Sequence, residues 1–376
     1  MRVSYILPLL AVFPLQAVNA ASYQFSGDVR AGYFSADRDD RNGSQNKTDE
    51  GRVRIRAGVT TKITDTLEAR VRFAGRYSTD DRNNNFFKLF ESIPSTDGLR
   101  RGDSTLDEIY IKNTYRNGAA VTFGRMQTKL ELDGVAKKSL DRNDSPNTDI
   151  NWTDGLYVKY PLKEGWKLHA IMQYNPSSGP TELRRSPLNF NDSGSRISYF
   201  AAFEKKSKTD FWAQRGIDVT YLPSALQKDG TAVGRIEDYW ALVGRAAARW
   251  PLGQGGEALM LGGELGLASK APTKAAVGLP GSGDAGKTAF QLTFNWLNFV
   301  PRHSIGLVVG RADAGWLLSP DFRDNTDLLE LRYKWALAKK HSLEARIRQR
   351  EDSKLKIGAL KKREDTDLYL RYTYKF

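Results

Sequence analysis

The chain closes on Asp367-Leu-Tyr-Leu-Arg-Tyr-Thr-Tyr-Lys-Phe376. Side chains of a strand alternate between its faces, so Leu368, Leu370, Tyr372, Tyr374 and Phe376 share one face while Tyr369, Arg371, Thr373 and Lys375 share the other. One face suits lipid and the other suits water.

The opposite end carries an export pattern. Arg2 supplies a positive start, the following stretch is mostly apolar though interrupted by Pro8, Pro14 and Gln16, and Val18-Asn-Ala20 offers small residues for cleavage. Residues 1–20 therefore read as a cleaved signal peptide, with the mature chain starting at Ala21. An uncleaved anchor is the alternative, but the apolar stretch is shorter than the ~20 residues a spanning helix needs. No later run is long enough either. A membrane location then requires a closed barrel, the other way to satisfy every backbone group in lipid.

Residues 21–376 read as one domain, because no Pro- or Ser-rich linker interrupts the hairpin pattern. There is no cysteine, so disulfides and thiolate metal sites are excluded. The net charge of +13 falls by one with Arg2. That excess is spread over alternating strands and forms no basic helix or aromatic-studded patch, which argues against nucleic acid as a partner.

Alternating segments of about ten residues bounded by turns mark a transmembrane barrel. They fall near 23–34, 51–61, 66–77, 105–115, 119–126, 152–160, 166–174, 195–205, 211–222, 236–250, 256–268, 286–298, 303–312, 326–336, 341–350 and 364–376. The connections alternate between short turns, such as 62–65, 116–118, 161–165 and 338–340, and long loops near 35–50, 78–104, 127–151, 175–194, 223–235, 269–285, 313–325 and 351–363. The expected fold class is all-β: an antiparallel barrel of sixteen strands with short periplasmic turns, long extracellular loops and both termini periplasmic. Lipid-facing sets include Val53/Ile55, Leu67/Ala69/Val71/Phe73, Leu168/Ala170/Met172 and Phe290/Leu292/Phe294. Tyr33, Tyr77, Trp152, Tyr160, Trp166, Tyr174, Trp250, Trp296, Trp335 and Tyr374 sit near strand ends, where interfacial girdles form. A soluble sandwich or propeller also alternates, but needs neither the export signal nor the short/long rhythm.

The polar face is unusual in charge. Arg52-Val-Arg-Ile-Arg56, Glu68-Ala-Arg-Val-Arg72 and Glu344-Ala-Arg-Ile-Arg348 place Arg52, Arg54, Arg56, Arg70, Arg72, Arg346 and Arg348 opposite apolar residues, and Arg30, Arg332 and Arg371 join them from adjacent strands. Arginine facing lipid at the midplane costs ~2–4 kcal/mol, which directs these ten side chains to the lumen. They read either as a cationic pore wall or as a packing ladder bridged by Glu68 and Glu344. The third long loop, 127–151, carries Glu131, Asp133, Asp141, Asp144 and Asp149 among Lys129, Lys137, Lys138 and Arg142.

In layout, and in its terminal phenylalanine, the chain resembles the Gram-negative general porins, which are sixteen-stranded and usually trimeric. The resemblance implies that loop 127–151 folds into the barrel as a constriction, with Glu131, Asp133 and Asp141 facing the arginines. The family's Pro-Glu-Phe-Gly sequence is absent from this loop, and a solvated acidic loop outside the barrel stays open. The resemblance further implies a homotrimer in outer-membrane lipid, with loop 78–104 and its Phe86-Phe-Lys-Leu-Phe90 cluster as an intersubunit latch.

Other motifs carry less. Gly281-Ser-Gly-Asp-Ala-Gly-Lys-Thr288 matches a phosphate-binding loop by letter, but an alternating strand follows where a helix is needed. Arg101-Gly-Asp103 is a common loop tripeptide. His169, His303 and His341 are the only histidines and pair with no evident nucleophile. The expectation is a non-enzymatic channel without cofactor or metal, passing small hydrophilic solutes and ions with mild anion preference. A substrate-specific anion channel, for phosphate for example, and a plugged surface adhesin are the alternatives.

Overall fold

A computed structural model describes residues 22–79, 104–141, 152–175, 186–190, 197–231, 233–253 and 255–376. Sixteen strands follow in chain order: β1 (Tyr23–Asp39), β2 (Gln45–Lys62), β3 (Leu67–Ser78), β4 (Ser104–Thr114), β5 (Ala120–Met126), β6 (Thr153–Pro161), β7 (Trp166–Tyr174), β8 (Ile197–Lys206), β9 (Trp212–Gln227), β10 (Ile236–Pro251), β11 (Ala258–Ala268), β12 (Thr288–Val300), β13 (His303–Ala312), β14 (Thr326–Ala338), β15 (His341–Asp352) and β16 (Glu364–Lys375). Each pairs antiparallel with the next, and β1 pairs with β16, so the sheet closes on itself and leaves no edge.

The pleat carries the expected two-sidedness. On β12 Phe290, Leu292 and Phe294 are exposed on the outside, opposite Arg311, Val309 and Leu307 of β13. On β16 Leu368, Leu370 and Phe376 face out, while Asp367, Tyr369 and Thr373 are buried on the inner face. Most of the expected girdle aromatics are exposed near strand ends. Trp152 is an exception: it is 1% exposed, packs on Ala74 and lies under the Arg125 guanidinium at 4.6 Å. Its bulk fills the interior instead of the lipid interface.

The expected loop 35–50 is mostly strand. β1 and β2 stay paired as far as Asp39 and Gln45, leaving only residues 40–44 as the connection. Beyond the lipid both faces of a strand are wet, so this extension has no apolar period, yet its backbone pairing continues. The 223–235 loop is shortened likewise, because β9 runs to Gln227 across a register shift opposite Glu237 and Tyr239.

Candidate functional site

The inner surface divides into two unlike halves. From β9 to β14 it carries an apolar cluster, in which Ala241, Val243, Ala268, Ala289, Val308, Ala312 and Leu328 pack with Leu188, Phe190, Trp316, Leu317 and Phe322 from the connecting loops, beside buried polar groups such as Gln214, Arg245, Glu264 and Asn295. This packing occupies one side of the barrel.

The loop after β5 lies along that side. Its described part, 127–141, crosses the inside of the wall strand by strand. The Gln214 amide on β9 donates to the Glu131 carbonyl at 3.0 Å, and Gln214 Oε1 accepts from Asp133 N at 2.7 Å. Asn295 on β12 accepts from Val135 N at 2.8 Å, and Glu264 on β11 accepts from Leu140 N at 2.9 Å. At the far end the Lys138 ammonium, 2% exposed, reaches Glu330 on β14 at 2.9 Å. Burial pulls Lys138 below the usual lysine range, and the facing Glu330 carboxylate opposes that pull. Gly306 on β13 permits the approach, because a Cβ there would sit 2.8 Å from Val135 Cβ and 2.7 Å from Asn295 Oδ1.

Arg245 on β10 fastens the same loop. Its Nη1 donates to the Leu130 carbonyl at 2.6 Å, its Nε lies 3.1 Å from Glu264, and Nη2 bonds Asp218 and approaches Asp141 at 3.6 Å. All four side chains are 4% exposed or less. One guanidinium therefore serves three carboxylates out of water, which requires the loop to be seated.

The ten arginines sit on the other side, on β14, β15, β16, β1, β2 and β3. Asp28 on β1 takes Arg54 at 2.6 Å and Arg56 at 2.6 Å, with Arg30 at 3.7 Å. Arg72 bonds Asp107 at 2.9 and 2.8 Å and lies 3.1 Å from Glu108, which also takes Arg70. Arg52 pairs with Glu50 at 2.8 Å. Glu344 holds Arg332 at 3.1 Å and Arg371 at 3.0 Å, Glu330 also takes Arg332, and Asp367 takes Arg348 at 2.8 Å and Arg346 beside it. Tyr369 lies among Arg332, Arg346 and Arg371 at 5.8, 4.2 and 4.9 Å from its ring centroid. Among the described residues, ten arginines thus share seven carboxylates, so the wall is both a ladder and net cationic.

Only part of this pairing is visible in the sequence reading. Glu344 is a bridging acid as expected, but Glu68 pairs with Lys112 at 3.0 Å and not with the arginines. The sequence does not single out Asp28, Glu50, Asp107, Glu108, Glu330 and Asp367; five of them alternate in phase with the arginines of their own or a neighbouring strand, while Asp107 reaches Arg72 beside Glu108 only through the register shift between β3 and β4. The three loop acids also separate. Asp133 turns to Lys206 at 3.4 Å and Lys137 at 3.5 Å, and Asp141 is buried beside Arg245, so neither meets the arginine wall. Glu131 lines a cavity with Lys129, Ser139, Asp141, Trp152 and Asp321. The loop is linked to the arginine side at Gln127, whose amide accepts from Arg56 at 3.3 Å and donates to Asp107 at 3.3 Å.

His169 is buried and bonded to the Tyr157 hydroxyl at 2.7 Å, with Glu204 at 3.9 Å. The phosphate-loop look-alike is followed directly by strand β12, and its Lys287 donates to the Ser269 carbonyl at 3.1 Å. Arg101-Gly-Asp103, the Phe86 to Phe90 cluster, Asp144 and Asp149 lie outside the described residues.

No family model matches the sequence, and no curated protein matches it. Solved structures do resemble it in fold. OprB of Pseudomonas putida superposes with a TM-score of 0.61 at 14% identity, covering 94% of each chain. An anion-selective porin from Comamonas acidovorans gives 0.57 at 11% identity, over 95% of this chain and 100% of that one. A BenF-like porin from Pseudomonas fluorescens Pf-5 gives 0.57 at 11% identity, over 94% and 98%.

Proposed function

We propose that this chain is an outer-membrane porin in which small hydrophilic solutes and ions diffuse passively through a water-filled passage. A sixteen-stranded barrel leaves an aqueous channel unless its interior is filled. Here one half is filled by the 127–141 loop and its apolar support, so the passage runs off-centre between that loop and the arginine wall. Arg30, Arg52, Arg54, Arg56, Arg70, Arg72, Arg332, Arg346, Arg348 and Arg371 line it, and the loop after β5, described over residues 127–141, is its constriction.

The observation that carries the reading is the charge balance of that wall, in which ten guanidinium groups share seven carboxylates. Charged side chains along a pore bias which ions pass, so mild anion preference follows. Asp133 and Asp141 are neutralised on the loop side, and of the three candidate eyelet acids Glu131 alone remains to favour cations. Planar-bilayer recording tests the function: stable open-channel steps are expected, and their absence from correctly folded protein would refute it. Conductance that saturates in one anionic solute would instead favour a substrate-specific channel.

The same reading places the mature chain in the outer membrane after loss of residues 1–20, with the short turns periplasmic. A homotrimer latched through 78–104 completes it, supported by the apolar Phe86-Phe-Lys-Leu-Phe90 sequence.

A further inference from the structure

The short-turn end of the barrel is not uniform. From β12 to β16, three successive strand ends present Arg302, Lys339, Lys340 and Lys375, all exposed. They are tied into one patch by backbone contacts: Ala336 N donates to the Arg302 carbonyl at 2.9 Å, and Lys375 N donates to the Lys340 carbonyl at 2.9 Å. Arg302 Nη1 also donates to the Leu337 carbonyl at 3.1 Å. Residues 296–303, 335–343 and 372–376 contain no Asp or Glu. Four other short turns carry acids, namely Asp65, Glu164, Asp210 and Glu257, while Arg116-Asn-Gly118 carries a single cation and no acid.

Just above these cations, on the outward face, the same arrangement occurs twice. His303 stacks on Trp335 with centroids 5.0 Å apart and bonds the Tyr333 hydroxyl through Nδ1. His341 stacks on Tyr374 at 4.8 Å and bonds the Tyr372 hydroxyl through Nδ1 at 2.6 Å. In register, His303 opposes Trp335 and His341 opposes Tyr374, one strand pair apart. With Nδ1 committed to tyrosine, Nε2 is the ring atom directed away from that contact. Exposed Leu307, Leu331, Leu343, Ile347 and Leu370 continue the outer face toward mid-membrane.

We infer that this patch is a binding site for an anionic phospholipid of the inner, periplasm-facing leaflet. The cations Arg302, Lys339, Lys340 and Lys375 meet the headgroup phosphate, His303 and His341 donate to its oxygens, and the apolar stripe takes the acyl chains. Aromatic belts sit at headgroup level, and juxtamembrane cations attract anionic lipid. A free phosphate would have no use for the stripe, and a zwitterionic headgroup would not require four cations in segments that hold no acidic side chain. The inference rests on the outer-membrane reading above for which leaflet is met.

Native mass spectrometry of the full barrel, delipidated in neutral detergent and offered dioleoyl phosphatidylglycerol or dioleoyl phosphatidylcholine, tests it. Preferential retention of phosphatidylglycerol is expected, with roughly fivefold loss for each cation removed and loss of the preference in the R302Q/K339Q/K340Q/K375Q variant. H303F/H341F keeps the ring stacking and should weaken retention less. K163Q/K208Q, at other short turns, should leave it unchanged. Equal retention of both lipids by the unaltered protein, preference surviving in the quadruple variant, or displacement by millimolar inorganic phosphate would each overturn the inference. Heat-modifiable migration verifies folding of every variant. Single-channel recording on the same samples separates the two proposals, since a conducting barrel without lipid preference refutes only this one and a lipid-selective barrel without conductance refutes only the porin reading.

Discussion

Phe376 and Gly27 close the barrel by a paired contact in which each backbone N–H donates to the other's carbonyl, at 3.1 Å from Gly27 and 3.2 Å from Phe376. A Cβ at Gly27 would lie 2.5 Å from the Phe376 ring and 2.2 Å from the Arg56 carbonyl, so only glycine lets the terminal residue seat. Gly27→Val should therefore disrupt the β1/β16 seam, where overpacking costs at least ~1–3 kcal/mol. The check is heat-modifiable migration in detergent gels: the folded band should diminish and melt at lower temperature. A variant as resistant as the unaltered protein would show that the seam tolerates a side chain.

Arg245 is expected to be the most sensitive single residue inside the barrel. Arg245→Met strands Asp218 and Glu264 without their cation and releases Leu130, and breaking a buried ion cluster in this way costs about 3–5 kcal/mol. Arg245→Lys should recover only part of this, because one ammonium cannot reproduce contacts made by Nε, Nη1 and Nη2. Denaturant midpoints measure the ranking. Equal midpoints for Met and unaltered protein would remove the cluster from the account.

Seating of the 127–141 loop sets the width of the proposed passage. Replacing residues 133–139 by a short Gly/Ser link removes the Lys138–Glu330 and Val135–Asn295 contacts and should raise single-channel conductance. Lys138→Gln alone, which leaves Glu330 paired with Arg332, should instead increase current fluctuation with the mean step little changed. Conductance unaffected by the excision would mean that the loop lies off the ion path.

Strand count, pairing order and outward faces were legible because lipid enforces a period of two on one side of every strand. Legibility stopped where that constraint stops. Above the lipid the β1/β2 extension has two wet faces, so Ala36, Asp37 and Arg38 read as loop though they are strand. Inside β9 to β14 apolar residues such as Val243, Val308 and Leu328 alternate with the outward apolar face among buried polar ones, a mixture that does not reveal from sequence that loops pack over them. The arginines were visible through their own alternation, but their acid partners required the register: Asp107 and Asp28 are far apart in sequence yet both face Arg56. Asp133 and Asp141 could not be told from eyelet acids, since Lys206 and Arg245 approach them only in the folded chain.

The proposed trimer makes a separate expectation. Deleting residues 82–98 should convert a detergent-resistant oligomer into monomer on unheated gels, while the barrel itself stays heat-modifiable. An oligomer equally resistant after the deletion would remove the latch assignment.

The most direct measurement is the reversal potential of single channels in a salt gradient, taken on unaltered protein and on R54Q/R72Q/R346Q. The variant should fold, because each acid keeps another arginine: Asp28 and Asp107 retain Arg56, Glu108 retains Arg70, and Asp367 retains Arg348. The account predicts an anion-preferring potential that moves toward cations in the variant, with the difference shrinking as the Debye length falls from about 10 Å at 0.1 M to about 3 Å at 1 M salt. Identical potentials in the two folded proteins, or no stable conductance from either, would contradict a pore that runs along the arginine wall.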